Sequence, residues 1–316
     1  MKEIGGYFEL EQYNGCEYYS NALAVNCGRN AAVLLAELRG YKKIYLPDYM
    51  CSSVKQALIK NSIDFELYPV DDALSPVFDR TLSDNEAIYI VNYYGQFRDD
   101  ICGFRKKWKN IIVDNAQDFF CCSDAADCIY TCRKYFGVAD GGYIKLSSDC
   151  NIEEYDKLPI DVSFDRMRFV MGRYEKNASE FYKESVDNND VFIGLPILKM
   201  SRLTHNLLRS IDYESIKKTR TENFRSLHNR LSELNEFKNV KLVDGAFMYP
   251  LRIKEGNALR KELQQRKIYV PKLWPDVEQS GIANKLAEEI VPLPCDQRYT
   301  VEDMEYITDQ IYRILG

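Results

Sequence analysis

The chain has 316 residues, 42 Lys+Arg against 48 Asp+Glu for a formal net charge of -6, and 46% hydrophobic residues. That composition excludes a disordered or collagen-like chain and suffices for one large core or two smaller ones, while the acidic balance argues against a nucleic-acid partner. Only two histidines, His205 and His228, are present, which leaves no basis for a histidine-rich metal site or a histidine triad, and no metal is expected.

In chain order, Asn30 to Leu38 reads as a helix with Asn30 as its N-cap and Gly40 as its stop. Lys43 to Leu46 reads as a strand ended by Pro47, and Ser52 to Lys60 as a helix. Phe65 to Val70, Ala87 to Tyr94 and Asn110 to Val113 are further strand-like runs, with a polar helical stretch from Arg98 to Lys109. This alternation predicts an α/β fold with a mainly parallel sheet, whose ligand site lies beyond the carboxyl ends of the strands. From Asn151 to Phe237 the strand signal disappears, and the mixed charges of Lys217 to Leu234 predict a long solvent-facing helix. Strand-like runs return at Val240 to Val243, Phe247 to Ile253 and Ile268 to Val270, with helices from Asn257 to Gln265 and Val301 to Leu315. The expected division is a large unit over 1–195, a connecting helical segment over 196–237 and a small α/β unit over 238–316.

The ten cysteines contain no C-x-x-C pair, so a zinc ribbon or thioredoxin-type site has no support. The first residues carry no basic segment followed by an apolar run, and no stretch is long and apolar enough for a membrane helix. The expectation is a cytoplasmic protein with reduced thiols, no membrane contact, and nine cysteines acting as packing, the adjacent Cys121 and Cys122 among them.

The motifs for dinucleotides, nucleoside triphosphates, serine hydrolases and zinc peptidases are all missing. What remains is a set of strand-end residues: Gly28-Arg29-Asn30, Asn92-Tyr93-Tyr94-Gly95, Asp114-Asn115-Ala116-Gln117, and Thr131-Cys132-Arg133-Lys134 followed by Asp140-Gly141-Gly142. Singly, each has a plain structural explanation: a solvated lysine, a turn aspartate, a hairpin glycine pair. In this order and register they resemble the DegT/StrS-type sugar aminotransferase group, fold type I enzymes that use pyridoxal 5'-phosphate (PLP). The similarity runs over Val25 to Tyr143 and more loosely over Phe247 to Trp274 and Val291 to Ile307. Its most specific element is Lys134 with Gly141 and Gly142 seven and eight positions later, behind an Asp-x-x-Gln motif at Asp114 and Gln117.

The resemblance implies a large domain with a mainly parallel sheet covered by helices, a small C-terminal α/β domain, and an aminotransferase of sugar biosynthesis. Lys134 would form the Schiff base with PLP, the internal aldimine, and Asp114 would face the pyridine nitrogen. Gly28, Arg29 and Asn30, opening a helix, would bind the phosphate with help from the Thr131 hydroxyl, and Gln117 would lie near the cofactor's 3'-oxygen. The chain departs from the family at the ring-stacking position, where Cys51 stands for an aromatic residue, leaving either Tyr49 or the thiol to cover the ring. Arg29 stands where Thr or Ser is common, and a guanidinium can bind phosphate bidentately. Asn92, Tyr94 and Arg298 are candidate substrate contacts, with half-buried packing and a surface ion pair as the alternatives for Tyr94 and Arg298. The implied partners are an amino-acid donor, a keto acceptor such as a nucleotide-linked keto sugar, and a second subunit completing the site of a homodimer. Two alternatives stay open: a fold type I scaffold that binds or regulates without catalysis, and a PLP enzyme of another reaction type.

Overall fold

The computed structural model describes residues 4–278 and 281–316. In chain order it runs β1 (Leu23–Val25), α1 (Gly28–Arg39), β2 (Lys43–Pro47), α2 (Ser52–Lys60), β3 (Asp64–Tyr68), β4 (Glu86–Val91), α3 (Ile101–Lys107), β5 (Ile111–Asp114), β6 (Asp127–Thr131) and β7 (Gly142–Lys145). The helices α4 (Glu153–Lys157), α5 (Arg168–Glu175), α6 (Tyr182–Gly194), α7 (Arg202–Leu208) and α8 (Tyr213–Leu231) follow without an intervening strand. The chain ends with β8 (Met248–Arg252), α9 (Gly256–Gln265), α10 (Gly281–Glu289), β9 (Ile290–Pro294) and α11 (Val301–Leu315).

The first seven strands form one sheet in the order β1-β7-β6-β5-β4-β2-β3. From β3 through β6 the neighbours pair in parallel, and only β7 runs against both of its neighbours. The strands are rich in Ile, Val and Tyr and most of their residues are buried, as a sheet covered on both faces requires. Helix α1 shows why its Ala- and Leu-rich sequence has no polar stripe: every residue from Asn30 to Ala36 is buried. Gly40 ends it in the left-handed region at φ 72°, its N–H bonding back to Ala36 and Glu37 carbonyls.

A second core lies around the two-stranded antiparallel sheet of β8 and β9. There Leu251 and Leu293 pack with Phe224, Leu227 and Leu231 of α8 and with Met304 and Ile311 of α11. Each fully buried side chain of this size contributes about 1.5–3 kcal/mol. Helix α11 begins with a capping box in which Thr300 and Asp303 exchange side-chain and backbone bonds. The two cores meet at Arg252, whose Nε donates to Glu289 at 2.8 Å and whose Nη2 donates to Asp72 at 2.6 Å. Within the large core, Trp274 lies edge-on to Tyr49 at 4.6 Å.

Several expectations are corrected. Asn30 is no N-cap: Cys27 holds that position, and Asn30 sits inside the first turn, bonding to Asn26 Oδ1 and the Pro196 carbonyl. Val240 to Val243 forms no strand, because the Gln96 side chain pairs with both the N–H and the carbonyl of Lys241 in place of a neighbouring strand. Ile268 to Val270 forms none either: Lys267 takes φ 61° after α9, and Pro271 removes a ladder donor. The long charged helix starts earlier, at Tyr213, where Asp212 caps it, and it is not simply solvent-facing, since Arg220, Asn223, Phe224, Leu227 and Leu231 are buried along one face. The strands β1, β6, β7 and β9 go unread in the sequence, although β6 and β9 have 5 residues each, as many as β2. The cysteines do not divide nine to one either. Cys27, Cys121, Cys128, Cys132 and Cys295 are buried, whereas Cys16, Cys51, Cys102 and Cys122 are exposed, and all ten are unbonded.

Candidate functional site

Strand directions decide where the chemistry gathers. β1, β2, β4, β5 and β6 all point the same way, so their carboxyl ends share one edge of the sheet. The residues that follow those ends are Gly28, Cys51, Asn92, Asp114 and Lys134 with their neighbours, and the fold therefore brings the sequence candidates from five segments to one rim.

Lys134 stands in the wall of a cavity of about 730 Å³ that is also lined by Thr131, Arg133, Phe247 and Arg298. Lys134 is exposed to the cavity, its amine 5.4 Å from the centre of the Phe247 ring. Burial pushes its pKa below that of an ordinary lysine and Arg133 adds to the fall, while Asp114 and Cys51 oppose it. Asp114 ends β5. Its Oδ2 accepts from the Tyr89 hydroxyl at 2.8 Å and its Oδ1 from the Ala116 N–H at 2.8 Å, which fixes the carboxylate plane. Burial raises its pKa, and the positive charge of Lys134 is the first of the influences that pull it down. The amine and the carboxylate thus act on each other across the rim.

The head of α1 is built by close approach. A Cβ on Gly28 would sit 3.6 Å from Thr131 Cβ, so the helix start and the segment leading to Lys134 touch. On the other side, a Cβ on Gly142 would come within 3.0 Å of the Gly28 nitrogen and 2.9 Å of the Tyr130 carbonyl oxygen. Only glycine lets β7 start there. Gln117 accepts from the Tyr94 N–H through Oε1 at 2.8 Å, and its buried Nε2 has no partner among the described residues. Cys51 precedes α2 with an exposed thiol 3.1 Å from Ser53 Oγ.

No family model and no curated protein matches the sequence. Solved structures do match in shape. The sugar aminotransferase CalS13 from Micromonospora echinospora superposes with a TM-score of 0.61 at 16% identity, over 92% of this chain and 87% of that one. A DegT DnrJ EryC1 StrS aminotransferase from Brucella abortus gives 0.61 at 13% identity, over 93% of this chain and 86% of that one. NtdA from Bacillus subtilis, crystallised with bound cofactor PMP, gives 0.64 at 14% identity, over 93% of this chain and 73% of that one. The fold is that of the DegT/StrS sugar aminotransferases.

Within this aminotransferase fold some candidates lie away from the open site. Tyr49 is buried, packed between Tyr93 and Trp274, so the ring that the sequence offered for stacking is already covered by protein. Asn92 is corrected from substrate contact to scaffold: fully buried, it donates to Asn115 Oδ1 and Asp118 Oδ2 and accepts from the Phe97 N–H. Tyr94 is also fully buried, with φ 53°, and does not line the cavity. Arg298 does line it, with Nε and Nη2 bonded to Asp296 at 2.6 and 2.8 Å. Arg252 bonds to Glu289 and Asp72, and Trp274 packs edge-on against Tyr49. His205 bonds to the partly buried Glu17, and His228 lies beside Tyr249.

Sequence reasoning passed over Arg133, Arg220, Gln297 and Asn189. Arg220 is buried under the Tyr135 ring, 4.4 Å from its centre, and donates to the Gln297 side chain and the Ala246 carbonyl. Gln297 in turn donates to the Tyr135 carbonyl at 2.7 Å, so the residue after Lys134 is tied to the loop that follows β9. Adjacency to Lys134 was the one available signal for Arg133. Asn189 lies on α6, in the stretch that the family pattern does not reach. Among the described residues no group of three or more His, Cys, Asp or Glu side chains is placed to hold a metal, and no helix is long and apolar enough to cross a membrane.

Proposed function

We propose that the chain is a PLP-dependent aminotransferase that moves an amino group from an amino-acid donor to a keto acceptor. The observation that carries the reading is Lys134: a lysine of lowered pKa, open to a cavity at the carboxyl edge of the sheet and electrostatically coupled to Asp114. The residues suit the cofactor. Gln117 Nε2 is a buried donor awaiting an acceptor, the head of α1 carries no side-chain cap, and Thr131 lies against it.

When bound, PLP supplies an aldehyde that condenses with amines and a ring that stabilises negative charge at the substrate's Cα. Gly28, Arg29, Asn30 and Thr131 would hold the phosphate, Asp114 the ring nitrogen, Gln117 the 3'-oxygen, and Cys51 would cover a ring face. The lowered pKa of Lys134 leaves more of its amine unprotonated at neutral pH, so Nζ can take a proton from one carbon and return it to another. Tyr89 and Ala116 keep the Asp114 carboxylate in one orientation while that happens. Arg298, now held by Asp296, is the cation within the cavity best placed to exchange its partner for a substrate carboxylate.

The two buried cores support a large sheet-bearing unit and a small C-terminal one. The acceptor in this reading is a keto sugar such as a nucleotide-linked one, and the sugar aminotransferases among the structural neighbours support the sugar part. A homodimer belongs to the reading, supported by the exposed Phe164, Met171, Tyr174 and Tyr182 on the segment flanking the cavity. The ten unbonded thiols suit the cytoplasm.

Purified protein mixed with PLP is expected to gain a visible absorption band that borohydride bleaches and that Lys134→Ala lacks. Labelled nitrogen from an amino-acid donor is expected in the aminated product. A protein that stays colourless sinks the reading, and a coloured protein that transfers no nitrogen from any donor sinks aminotransfer.

A further inference from the structure

Arg220 lies within α8 with 1% of its surface exposed, and its guanidinium reaches three segments at once. Nε donates to Gln297 Oε1 at 2.7 Å, Nη1 to the Ala246 carbonyl at 2.9 Å and the Phe247 carbonyl at 3.4 Å, and Nη2 to the Tyr135 carbonyl at 3.4 Å. The same group lies over the Tyr135 ring, 4.4 Å from its centre. Each of these partners is neutral, and the carboxylate of Asp296, next to Gln297, is spent on Arg298. Burial pulls the Arg220 pKa down, the mark of a charge kept from water.

Docking α8 does not call for that cation. Phe224, Leu227 and Leu231 bury the same face of the helix in the second core, and a buried charge costs free energy that an apolar side chain of similar size would not. What a guanidinium alone offers is a rigid planar set of five N–H donors. The segments it joins are those around the Lys134 amine. Tyr135 follows the lysine, the Phe247 ring lies 5.4 Å from Nζ, and Gln297 precedes Arg298 in the wall of the same cavity. The Tyr135 and Phe247 rings are neighbours as well, their centres 6.0 Å apart.

We propose that Arg220 is a positioning residue: by tying Tyr135 and Phe247 to one guanidinium it sets where the Lys134 amine stands in the cavity. It acts through those two residues rather than on a ligand. The kinetic part of its test rests on the aminotransferase reading above, and the spectroscopic part does not.

The test uses the full chain without cofactor, its lysines reductively methylated with isotope-labelled formaldehyde and read by nuclear magnetic resonance. The methyl signal of Lys134, recognised by its absence from Lys134→Arg, is expected to stand apart from those of other lysines through the ring current of Phe247. Phe247→Leu marks the position of that signal without the ring. In Arg220→Ala, and in Arg220→Lys, which keeps the charge but loses the fork, the signal is expected to move to the marked position. Guanidinium ion, too dilute to unfold the chain, is expected to restore it in Arg220→Ala, because Arg220 lines the cavity and its removal leaves a space open to it. A packing role alone would lower the melting temperature and leave the signal in place. With PLP and an amino donor, kcat is expected to fall by up to roughly 100-fold with little change in KM, the loss for about an ångström of misplacement. A signal that keeps its wild-type position in a folded Arg220 variant overturns the proposal, and so does a wild-type signal that matches Phe247→Leu. Should Arg220→Ala fail to fold, Arg220→Lys carries the test. A signal that moves in a protein that gains no visible band with PLP refutes the aminotransferase reading and leaves the positioning role standing.

Discussion

Replacing Gly142 by alanine puts a methyl group where three backbone atoms already stand. The added carbon would lie 2.9 Å from the Tyr130 carbonyl oxygen and 3.0 Å from both the Cys27 carbonyl carbon and the Gly28 nitrogen, where ordinary contact begins near 3.4 Å. None of these atoms can swing aside as a side-chain tip would, so β7 must retreat from α1 and β6 by about 0.5 Å. Overpacking of this kind costs about 1–3 kcal/mol. At a urea m-value of about 3 kcal/mol/M that lowers the unfolding midpoint by about 0.3–1 M, with m unchanged. Gly103→Ala is the matched control: it lies inside α3 with nothing within 4 Å of the added carbon. There alanine relieves the entropic cost of a helical glycine, and the midpoint is expected to rise by the equivalent of about 0.5–1 kcal/mol. Because the displaced atoms include the first nitrogen of α1, PLP affinity is expected to fall in the Gly142 variant and hold in the Gly103 variant. A Gly142→Ala protein that unfolds at or above the wild-type midpoint refutes the packing argument.

Three further outcomes follow from the electrostatics and the thiols. Asp114 holds the Lys134 pKa up against burial, so Asp114→Asn is expected to lower the midpoint of pH-dependent Lys134 acylation, read by mass spectrometry; an unchanged midpoint means the two do not interact. For Glu17, burial alone would raise the carboxyl pKa, but hydrogen bonds from His205 and Tyr143 outweigh it and leave the folded value low. A depressed folded pKa contributes stability above the unfolded value of about 4.3, and that contribution is lost as pH falls through the folded value. Melting temperatures of Glu17→Gln are therefore expected to decline less than wild type on acidification from about pH 6 to about pH 3. Brief alkylation is expected to label Cys16, Cys51, Cys102 and Cys122 and to spare the five buried thiols, and bound PLP is expected to protect Cys51 alone. Protection of a distant cysteine such as Cys102 in place of Cys51 would move the cofactor elsewhere.

The legible parts of the sequence were those where one local rule decides. Ser52 to Lys60 and Val301 to Leu315 carry helical periodicity at full length and form helices over those same bounds. Gly40, with nothing to oppose its left-handed conformation, stops α1 as read. The strand-end order of Gly28, Asp114 and Lys134 was also readable, because parallel topology turns chain order into a single rim. Tertiary partners undid the rest. Asn30 has the chemistry of an N-cap but spends its amide on Asn26 and Pro196, and Val240 to Val243 has strand residues but finds a glutamine instead of a strand. In α8 a dense charge pattern concealed a buried stripe, since Arg220 neutralises its burial through carbonyls and a glutamine that no local rule anticipates. Asn92 and Tyr94 sat at the right strand end, yet the side chains turn inward, which only packing determines.

The bond from Gln297 to the Tyr135 carbonyl ties the loop after β9 to the residue that follows Lys134. A shift of β9 and its following loop would pull on the Tyr135–Phe136 peptide, one residue beyond Lys134. Arg220, reaching the same carbonyl at 3.4 Å from α8, makes that pull a two-point leverage. Arg298, one residue along from Gln297, lines the same cavity as Lys134, so the loop after β9 touches both the cavity wall and the backbone that follows the lysine.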